Sequence, residues 1–169
     1  MGFNRKALGR WGEGCVTRLM RDLNWCVMSQ AEEMYAPGRD LQIYKGLPNQ
    51  PNYKKIHLQV KATSKNYNEG FKLHFSQVNK ICKWAEQANV VCHLVAVSHP
   101  RKMIELYPHQ YVLDVRDQAL QAKGDVVSMP GMLLFEYEHA KMWPLTDHEI
   151  HEGARIISGP EETYDLDDF

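Results

Sequence analysis

The run VVCHLVAV, residues 90–97, is the feature that most narrows what this chain can fold into. All of its residues except His93 are apolar. A strand with one face in water alternates apolar and polar residues, whereas a strand covered on both faces is apolar along its length. We therefore expect a central strand in a sheet that carries helices on both faces, which is an α/β arrangement.

Two other segments have the periodicity of amphipathic helices. Residues 5–23 place apolar side chains at helical spacing, namely Leu8, Trp11, Cys15, Val16, Leu19, Met20 and Leu23. Residues 75–88 do the same with Val78, Ile81, Cys82 and Ala85. These segments predict one helix before the strands and one directly before the apolar run.

Short strand patterns fill the rest of the chain. Between the two helices the strand patterns are NWCVMSQ, RDLQIYK and KIHLQVKA, separated by loops rich in Gly, Pro and Asn. After the apolar run, MIELYP and QYVLDV predict strands, DQALQAKG a short helix and GMLLFEYEHA a final strand, while TDHEIHEG has the polarity of a solvated turn. The order helix, three strands, helix, strand predicts a mixed central sheet flanked by helices, with extra C-terminal strands.

Length and composition indicate a globular protein with one domain. The chain has 169 residues, 44% hydrophobic and 24% charged, with no apolar run near the ~20 residues of a membrane helix. We expect a cytoplasmic protein with one domain over residues 1–157, made of a core at about 5–100 and an elaboration at 101–157, followed by an acidic tail at 158–169. The four cysteines include no CxxC pair, which argues against a zinc knuckle or a disulfide framework.

The net charge of −1 hides an uneven distribution. Residues 1–83 hold 14 Lys/Arg and 6 Asp/Glu, a balance of +8, whereas residues 84–169 hold 6 and 15, a balance of −9. A basic half of this size is typical of proteins that bind a polyanion such as nucleic acid. Pairing of the two halves with each other in the fold would account for the same counts.

Polar residues interrupt the apolar elements at four places. Gln59 and Lys61 share one face of the third strand, Asp40 opens the second strand, and Glu13 lies on the first helix. Consecutive strands are usually neighbours in a sheet, so Asp40 is expected to meet the Gln59 and Lys61 face. An ordinary amphipathic strand with a solvated face is the alternative for Gln59 and Lys61.

The chemistry that such a cluster suits is phosphodiester hydrolysis. Carboxylate and carbonyl oxygens hold a hard cation such as Mg²⁺, which polarises a phosphoryl oxygen and lowers the pKa of a water. A lysine beside the cation can orient or deprotonate the water and stabilise the extra negative charge of the transition state.

Three motifs resemble those of a known family. GEGCV on the first helix, GRD at the second strand and LQVKATS at the third resemble the PD-(D/E)xK nuclease superfamily, which has the restriction-endonuclease-like fold. The layout over about residues 5–100 is most similar to small Holliday-junction-resolvase-like and homing or restriction-type endonucleases. The resemblance implies an αβββαβ core, a Mg²⁺-dependent or Mn²⁺-dependent endonuclease activity on DNA, and a homodimer that cuts two strands.

The resemblance also implies a role for each motif residue. Glu13 matches the acidic residue of the first helix, Asp40 the central metal-binding aspartate and Lys61 the motif lysine. Gln59 stands at the D/E position, so one anionic ligand is replaced by a neutral amide. The metal ligands implied are thus Glu13, Asp40, Gln59 and the backbone carbonyl of Val60, and the catalytic residues are Glu13, Asp40, Gln59 and Lys61.

Four further residues flank these motifs and are candidates for nucleic-acid contacts: Arg10, Arg39, Lys65 and Gln77. Duplex or branched DNA is the expected partner, and RNA stays open. Because Gln59 removes a charge from the site, a catalytically inactive nuclease fold that binds nucleic acid or protein is the alternative function.

Overall fold

A computed structural model describes residues 4–29, 40–123 and 131–159. The helices are α1 Arg5–Asp22, α2 Phe75–Ala88, α3 His109–Lys123 and α4 Asp147–Ser158, with a short 3₁₀ helix at Tyr137–His139. The strands are β1 Cys26–Ser29, β2 Leu41–Lys45, β3 Lys54–Thr63, β4 Gly70–His74, β5 Cys92–Ser98, β6 Met103–Tyr107, β7 Met132–Glu136 and β8 Lys141–Pro144. No helix in this part of the chain has both the length and the apolarity that a membrane span requires.

Within the described residues, six strands form the main sheet in the order β1-β2-β3-β5-β6-β8. β3 and β5 are parallel, and the other neighbouring pairs are antiparallel. The crossover between the two parallel strands includes α2, as parallel neighbours require a long connection. Among the helices and the strands of the main sheet, the core therefore has the predicted αβββαβ order of the restriction-endonuclease-like fold, with β4 of a separate two-stranded sheet between β3 and α2. The sheet is mixed and flanked by helices, and the predicted extra strands follow the core.

Apolar side chains cover both faces of this sheet. On one face α1 and α4 pack against a cluster that contains Leu58, Val95 and Val97. On the other face α2 and α3 pack against a cluster that contains Leu94 and Tyr107. β5 contributes alternate residues to the two clusters, which is why its sequence is apolar along its length.

The fold departs from the sequence-based expectation after β6. QYVLDV is not a strand but the first half of α3, and DQALQAK continues the same helix. GMLLFEYEHA supplies β7, which leaves the main sheet to pair with β4, a strand that the sequence pattern had not identified. TDHEIHEG begins α4, because Thr146 and Glu149 form a capping box at its N-terminus.

Candidate active site

The candidate site lies where β2 and β3 separate. β2 begins at Leu41, opposite Leu58, and β3 continues past it through residues 59–63, paired on its other side with β5. The backbone N–H of Asp40 donates to the Leu58 carbonyl at 2.8 Å, and the Val60 N–H donates to the Asp40 Oδ2 at 2.9 Å. The Asp40 carboxylate thus takes the place of the next backbone pair and is held at the edge of β3.

Gln59 is the second element of the site. Its Nε2 donates to the Asp40 Oδ2 at 2.8 Å, which turns the amide oxygen away from Asp40. The residue is only 7% exposed, and its Oε1 is buried without a hydrogen-bond partner among the described residues. A buried carbonyl oxygen without a partner costs free energy unless another group or ion satisfies it.

Glu13 reaches the same place from α1. The preceding residue, Gly12, is buried against β3, and a Cβ at Gly12 would lie 2.9 Å from the Cβ of Ala62. Only glycine allows the helix this close approach to the strand. Burial raises the pKa of the partly buried Glu13 carboxyl, and the negative charge of Asp40 raises it further. The two carboxyl groups are therefore close enough to repel each other.

Lys61 follows Gln59 on the same face of β3 and is partly buried. Burial raises the pKa of Asp40, and neither the Val60 N–H nor the positive charge of Lys61, both of which lower it, reverses that effect. The ammonium group of Lys61 is therefore near enough to act on the carboxylate. The sequence motif residues Glu13, Asp40, Gln59 and Lys61 meet at one site.

These donors fit a hard divalent cation. Two carboxyl groups that disfavour their own ionised forms and an amide oxygen without a partner would all gain from a positive charge between them. The carbonyl of Val60 lies on the same edge of β3 as its N–H, because both backbone groups of a strand residue face the same neighbour. All the donors are oxygens, the type that Mg²⁺ and Mn²⁺ prefer.

A cleft of about 560 Å³ surrounds these residues. Of the four candidates for nucleic-acid contacts, Lys65 and Gln77 line this cleft. Arg10 does not, because it lies in an α1 row with Gly14 and Arg18 that lines a separate groove against α4. Arg39 lies outside the described residues.

The cleft also holds basic residues that sequence reasoning missed. Arg5, on the first turn of α1, and Lys72 and His74, on β4, all line it. The alternation of β4, with Phe71 and Leu73 buried and Lys72 and His74 exposed, was available in the sequence as a strand signal. The segment is short and leads directly into α2, so its alternation is difficult to separate from the helical pattern that follows it.

A second group of potential ligands lies away from this cleft. Glu136, Glu138 and His139 offer three ligand atoms within 4.8 Å of one another, and all three residues are exposed. His139 Nε2 is 3.7 Å from the Glu136 Oε1 and 3.5 Å from the Glu138 Oε2. Exposed groups of this kind are common on protein surfaces without an ion, so this cluster does not define a metal site.

The protein therefore has a restriction-endonuclease-like α/β fold. Its motif residues Glu13, Asp40, Gln59 and Lys61 lie in one cleft, where β2 and β3 separate. No family model and no curated protein matches the sequence. Among solved structures, the chain is similar to that of Archaeoglobus fulgidus Hjc, a Holliday junction resolvase from an archaeal hyperthermophile. The two share 12% sequence identity at a TM-score of 0.48, over 79% of this chain and 89% of that chain. Similarity at this level does not identify an activity, which depends on the residues of the cleft.

Proposed function

We propose that this protein is a metal-dependent DNA endonuclease that hydrolyses phosphodiester bonds. The single observation that carries the proposal is the buried amide oxygen of Gln59, which has no hydrogen-bond partner in the described structure beside two carboxyl groups with raised pKa values. Such a group of oxygens is unfavourable by itself and favourable around a cation. Lys61 beside it completes the set of groups that phosphodiester hydrolysis uses.

Glu13, Asp40, Gln59 and the Val60 carbonyl would hold the cation, Mg²⁺ or Mn²⁺. When bound, the ion supplies Lewis-acid polarisation of a phosphoryl oxygen and lowers the pKa of a water. Asp40 is held in place for this task by the Val60 N–H and the Gln59 amide, at 2.9 and 2.8 Å. A ligand fixed before binding loses little entropy when the ion arrives.

Lys61 has a separate task in the proposed reaction. Its Nζ carries a positive charge on the face of β3 that also presents Gln59, so it can orient the attacking water and neutralise the charge that develops on the phosphate. The partly buried position strengthens this interaction, because the field of a charge is less screened away from bulk water.

DNA, duplex or branched, is the proposed substrate. The cleft carries Arg5, Lys65 and Lys72 outside the carboxylate cluster, and phosphate groups are their natural partners. We propose that two subunits act as a homodimer, each with one cleft, so that two strands can be cut. Sedimentation with and without DNA tests the assembly.

Cleavage of supercoiled plasmid, four-way junction, single-stranded DNA and RNA with Mg²⁺ or Mn²⁺ tests the function. Asp40→Asn keeps an oxygen for the Val60 N–H, so it preserves the fold while removing the charge. Asp40→Asn and Lys61→Ala, made as separate variants, are each expected to lower the rate of cleavage by roughly 10³-fold. Lys83→Ala is the matched control, since Lys83 is exposed on α2 and does not line the cleft. Cleavage that survives both site substitutions would refute the assignment of the site.

A second function is favoured by one specific contact. The Nε2 of Gln59 occupies the Asp40 Oδ2 at 2.8 Å, and Gln59 brings no charge of its own. A site with two carboxylates binds a divalent cation less tightly than a site with three. If no substrate is cut while binding is retained, the protein is a catalytically inactive nuclease fold that binds nucleic acid or a protein partner.

A further inference from the structure

Strands β4 and β7 form a two-stranded ribbon outside the main sheet, with Gly70 opposite Glu136 and His74 opposite Met132. One face of the ribbon is fastened to the protein through four buried side chains, namely Phe71, Leu73, Leu133 and Phe135. Hydrogen bonds hold its ends, since the Phe75 N–H donates to the Gly131 carbonyl at 2.8 Å and the Glu136 N–H to the Tyr111 hydroxyl at 2.9 Å. The ribbon is thus held against the protein by one face and by hydrogen bonds at both ends.

The open face of the ribbon borders the proposed active site. Lys72 and His74 are exposed, lie two residues apart on β4 and line the same cleft as Asp40. Met132, across the ribbon from His74, lines the cleft as well and is 51% exposed. This wall therefore combines two groups that are able to bind phosphate with an apolar side chain, and of the three the proposed function has used only Lys72.

The imidazole of His74 is oriented by its neighbours. Its Nδ1 accepts a hydrogen bond from the Ser76 N–H at 3.1 Å and lies 2.9 Å from the Ser76 hydroxyl, so it caps the N-terminus of α2. An Nδ1 that accepts cannot carry the proton of a neutral imidazole, which leaves Nε2–H as a donor. A phosphate oxygen in the cleft is a suitable acceptor for it.

Charge is unevenly distributed along the ribbon, because the cationic Lys72 lies on the part that lines the cleft and the acidic residues lie at the other end. His74 and Lys72 lie toward the cleft, while Glu136 and Glu138 lie at or beyond the end marked by Gly70. A polyanion would therefore approach the ribbon from the cleft end and be repelled from the other.

We propose that the β4–β7 ribbon is a nucleic-acid-binding arm in which Lys72 and His74 bind backbone phosphates and Met132 contacts a sugar or base. The inference rests on the proposed nuclease function, and it identifies positioning residues of the same cleft. A two-stranded ribbon is narrow enough to enter the major groove of a duplex. Its basic groups hold the backbone while the cluster at Asp40 acts on a phosphodiester bond.

The test compares binding and cleavage in a double variant, Lys72→Ala with His74→Asn. Asparagine is a good N-cap residue, so the second change removes Nε2–H and keeps α2 capped. Binding to a labelled junction and a duplex is measured at several salt concentrations with EDTA in the Asp40→Asn background, which prevents cleavage. We expect the affinity to fall about tenfold and the salt slope to decrease by about 1, for the phosphate that Lys72 would neutralise.

In the cleaving protein the same double variant should raise KM about tenfold and leave kcat nearly unchanged, because it removes binding that is shared by ground and transition states. Replacing Lys72→Ala by Lys72→Arg in the double variant keeps the charge and should restore most of the affinity. Lys83→Ala should change neither KM nor kcat. A thermal melt of each variant shows that it is folded.

Two failures can be told apart. If the parent protein binds and cuts but the double variant matches Lys83→Ala in affinity and salt slope, the ribbon proposal is wrong and the nuclease function stands. If the parent protein neither binds nor cuts any nucleic acid, the proposed function is wrong and the ribbon proposal falls with it.

Discussion

The two sides of helix α1 border carboxyl groups in opposite electrostatic states. One side faces the cleft of about 560 Å³ with Glu13 and Asp40, and the other faces a groove of about 530 Å³ with Glu149 of α4. The cavities are similar in size, so their size says little about their roles. The partners of the carboxylates distinguish them.

In the groove against α4, the Glu149 carboxylate has hydrogen-bond partners and a cation, Arg18, beside it. Arg18 donates to both carboxylate oxygens of Glu149, from Nε at 2.9 Å and from Nη2 at 2.7 Å. The Thr146 N–H donates to the same carboxylate at 2.9 Å and completes a capping box. Burial would raise the pKa of Glu149, but these hydrogen bonds and the charge of Arg18 hold it below its ordinary value.

The cleft at the β2–β3 fork is unsatisfied by comparison. Burial raises the pKa values of Glu13 and Asp40, and Lys61 does not reverse the shift at Asp40. The amide oxygen of Gln59 adds a buried acceptor that finds no donor among the described residues. The Glu149 carboxylate that docks α4 thus has a cationic partner that holds its pKa down, whereas the carboxyl groups at the fork keep raised pKa values despite Lys61, as the proposed cation site would require.

The largest effect that would sharpen this contrast is on stability. Glu149→Ala removes both hydrogen bonds that Arg18 donates to Glu149, and it removes the capping box as well. We expect it to lower the free energy of unfolding by about 2 kcal/mol. Glu152→Ala, on the same helix, removes only an interaction with the exposed His148 and should change stability by less than about 0.5 kcal/mol. Urea denaturation measures both.

A loss of cleavage in Glu149→Ala at temperatures where it is folded would contradict the contrast, because it would join the groove to the active site. A stability loss no greater than that of Glu152→Ala would show that the ion pair does not dock α4.

The second effect concerns metal affinity. Gln59→Glu supplies a third carboxylate at the fork, and we expect Mg²⁺ or Mn²⁺ to bind about tenfold more tightly, a change of about 1.4 kcal/mol. Without metal, the same variant should be less stable at pH 8, because a carboxylate would replace the amide that donates to Asp40 at 2.8 Å. Calorimetric titration with each ion measures the affinity.

Gln77→Glu is the matched control, since it adds the same charge to the wall of the same cleft from the exposed start of α2. Equal gains in the two variants would mean that the ion responds to the general charge of the cleft and not to the position of Gln59.

The smallest effect is the pH dependence of stability. The pKa values of Glu13 and Asp40 are raised in the fold, so their contribution to stability is present at low pH and is lost as the pH rises through those values. The pKa of Glu149 is lowered, so its contribution is present above its ordinary pKa and is lost as the pH falls through the folded value. The two sides of α1 should therefore respond to pH with opposite signs.

Mg²⁺ should reverse the loss of stability that deprotonation of Glu13 and Asp40 causes at high pH, because the ion binds the deprotonated ligands. We expect Mg²⁺ to raise the melting temperature by about 2 °C at pH 8 and by less at pH 5. The shift should vanish in Asp40→Asn and persist in Glu149→Ala. A Mg²⁺ shift that Asp40→Asn retains would place the ion elsewhere.

Much of the core was predictable from periodicity. α1 and α2 bury one stripe each against a sheet, so their apolar residues recur at helical spacing, and β5 is covered on both faces, so it is apolar along its length. Gln59 and Lys61 were recognisable as polar residues on one face of a strand whose other face is apolar, and Glu13 and Asp40 were recognisable from the resemblance of their motifs to the PD-(D/E)xK pattern. Their roles in binding and catalysis stay predictions.

The C-terminal part was harder for identifiable reasons. QYVLDV has the aromatic and β-branched residues typical of a strand. The buried side of α3 also includes the charged Arg116, which bonds to Glu86 at 2.6 Å, so the apolar stripe of this helix is interrupted in the sequence. The capping box of α4 was visible as Thr146 followed three residues later by Glu149. The polar residues around it are as typical of a solvated turn as of the first turn of a helix.

The order of the core elements, and the elements on which Glu13, Asp40, Gln59 and Lys61 lie, could be predicted because periodicity is a property of neighbouring residues. Tertiary packing places Arg10 in the groove against α4 and brings Lys72 and His74 of β4 into the cleft. It also leaves the Gln59 amide oxygen without a donor in the described structure. These facts depend on pairing and packing between distant segments, and a local pattern carries no record of such contacts.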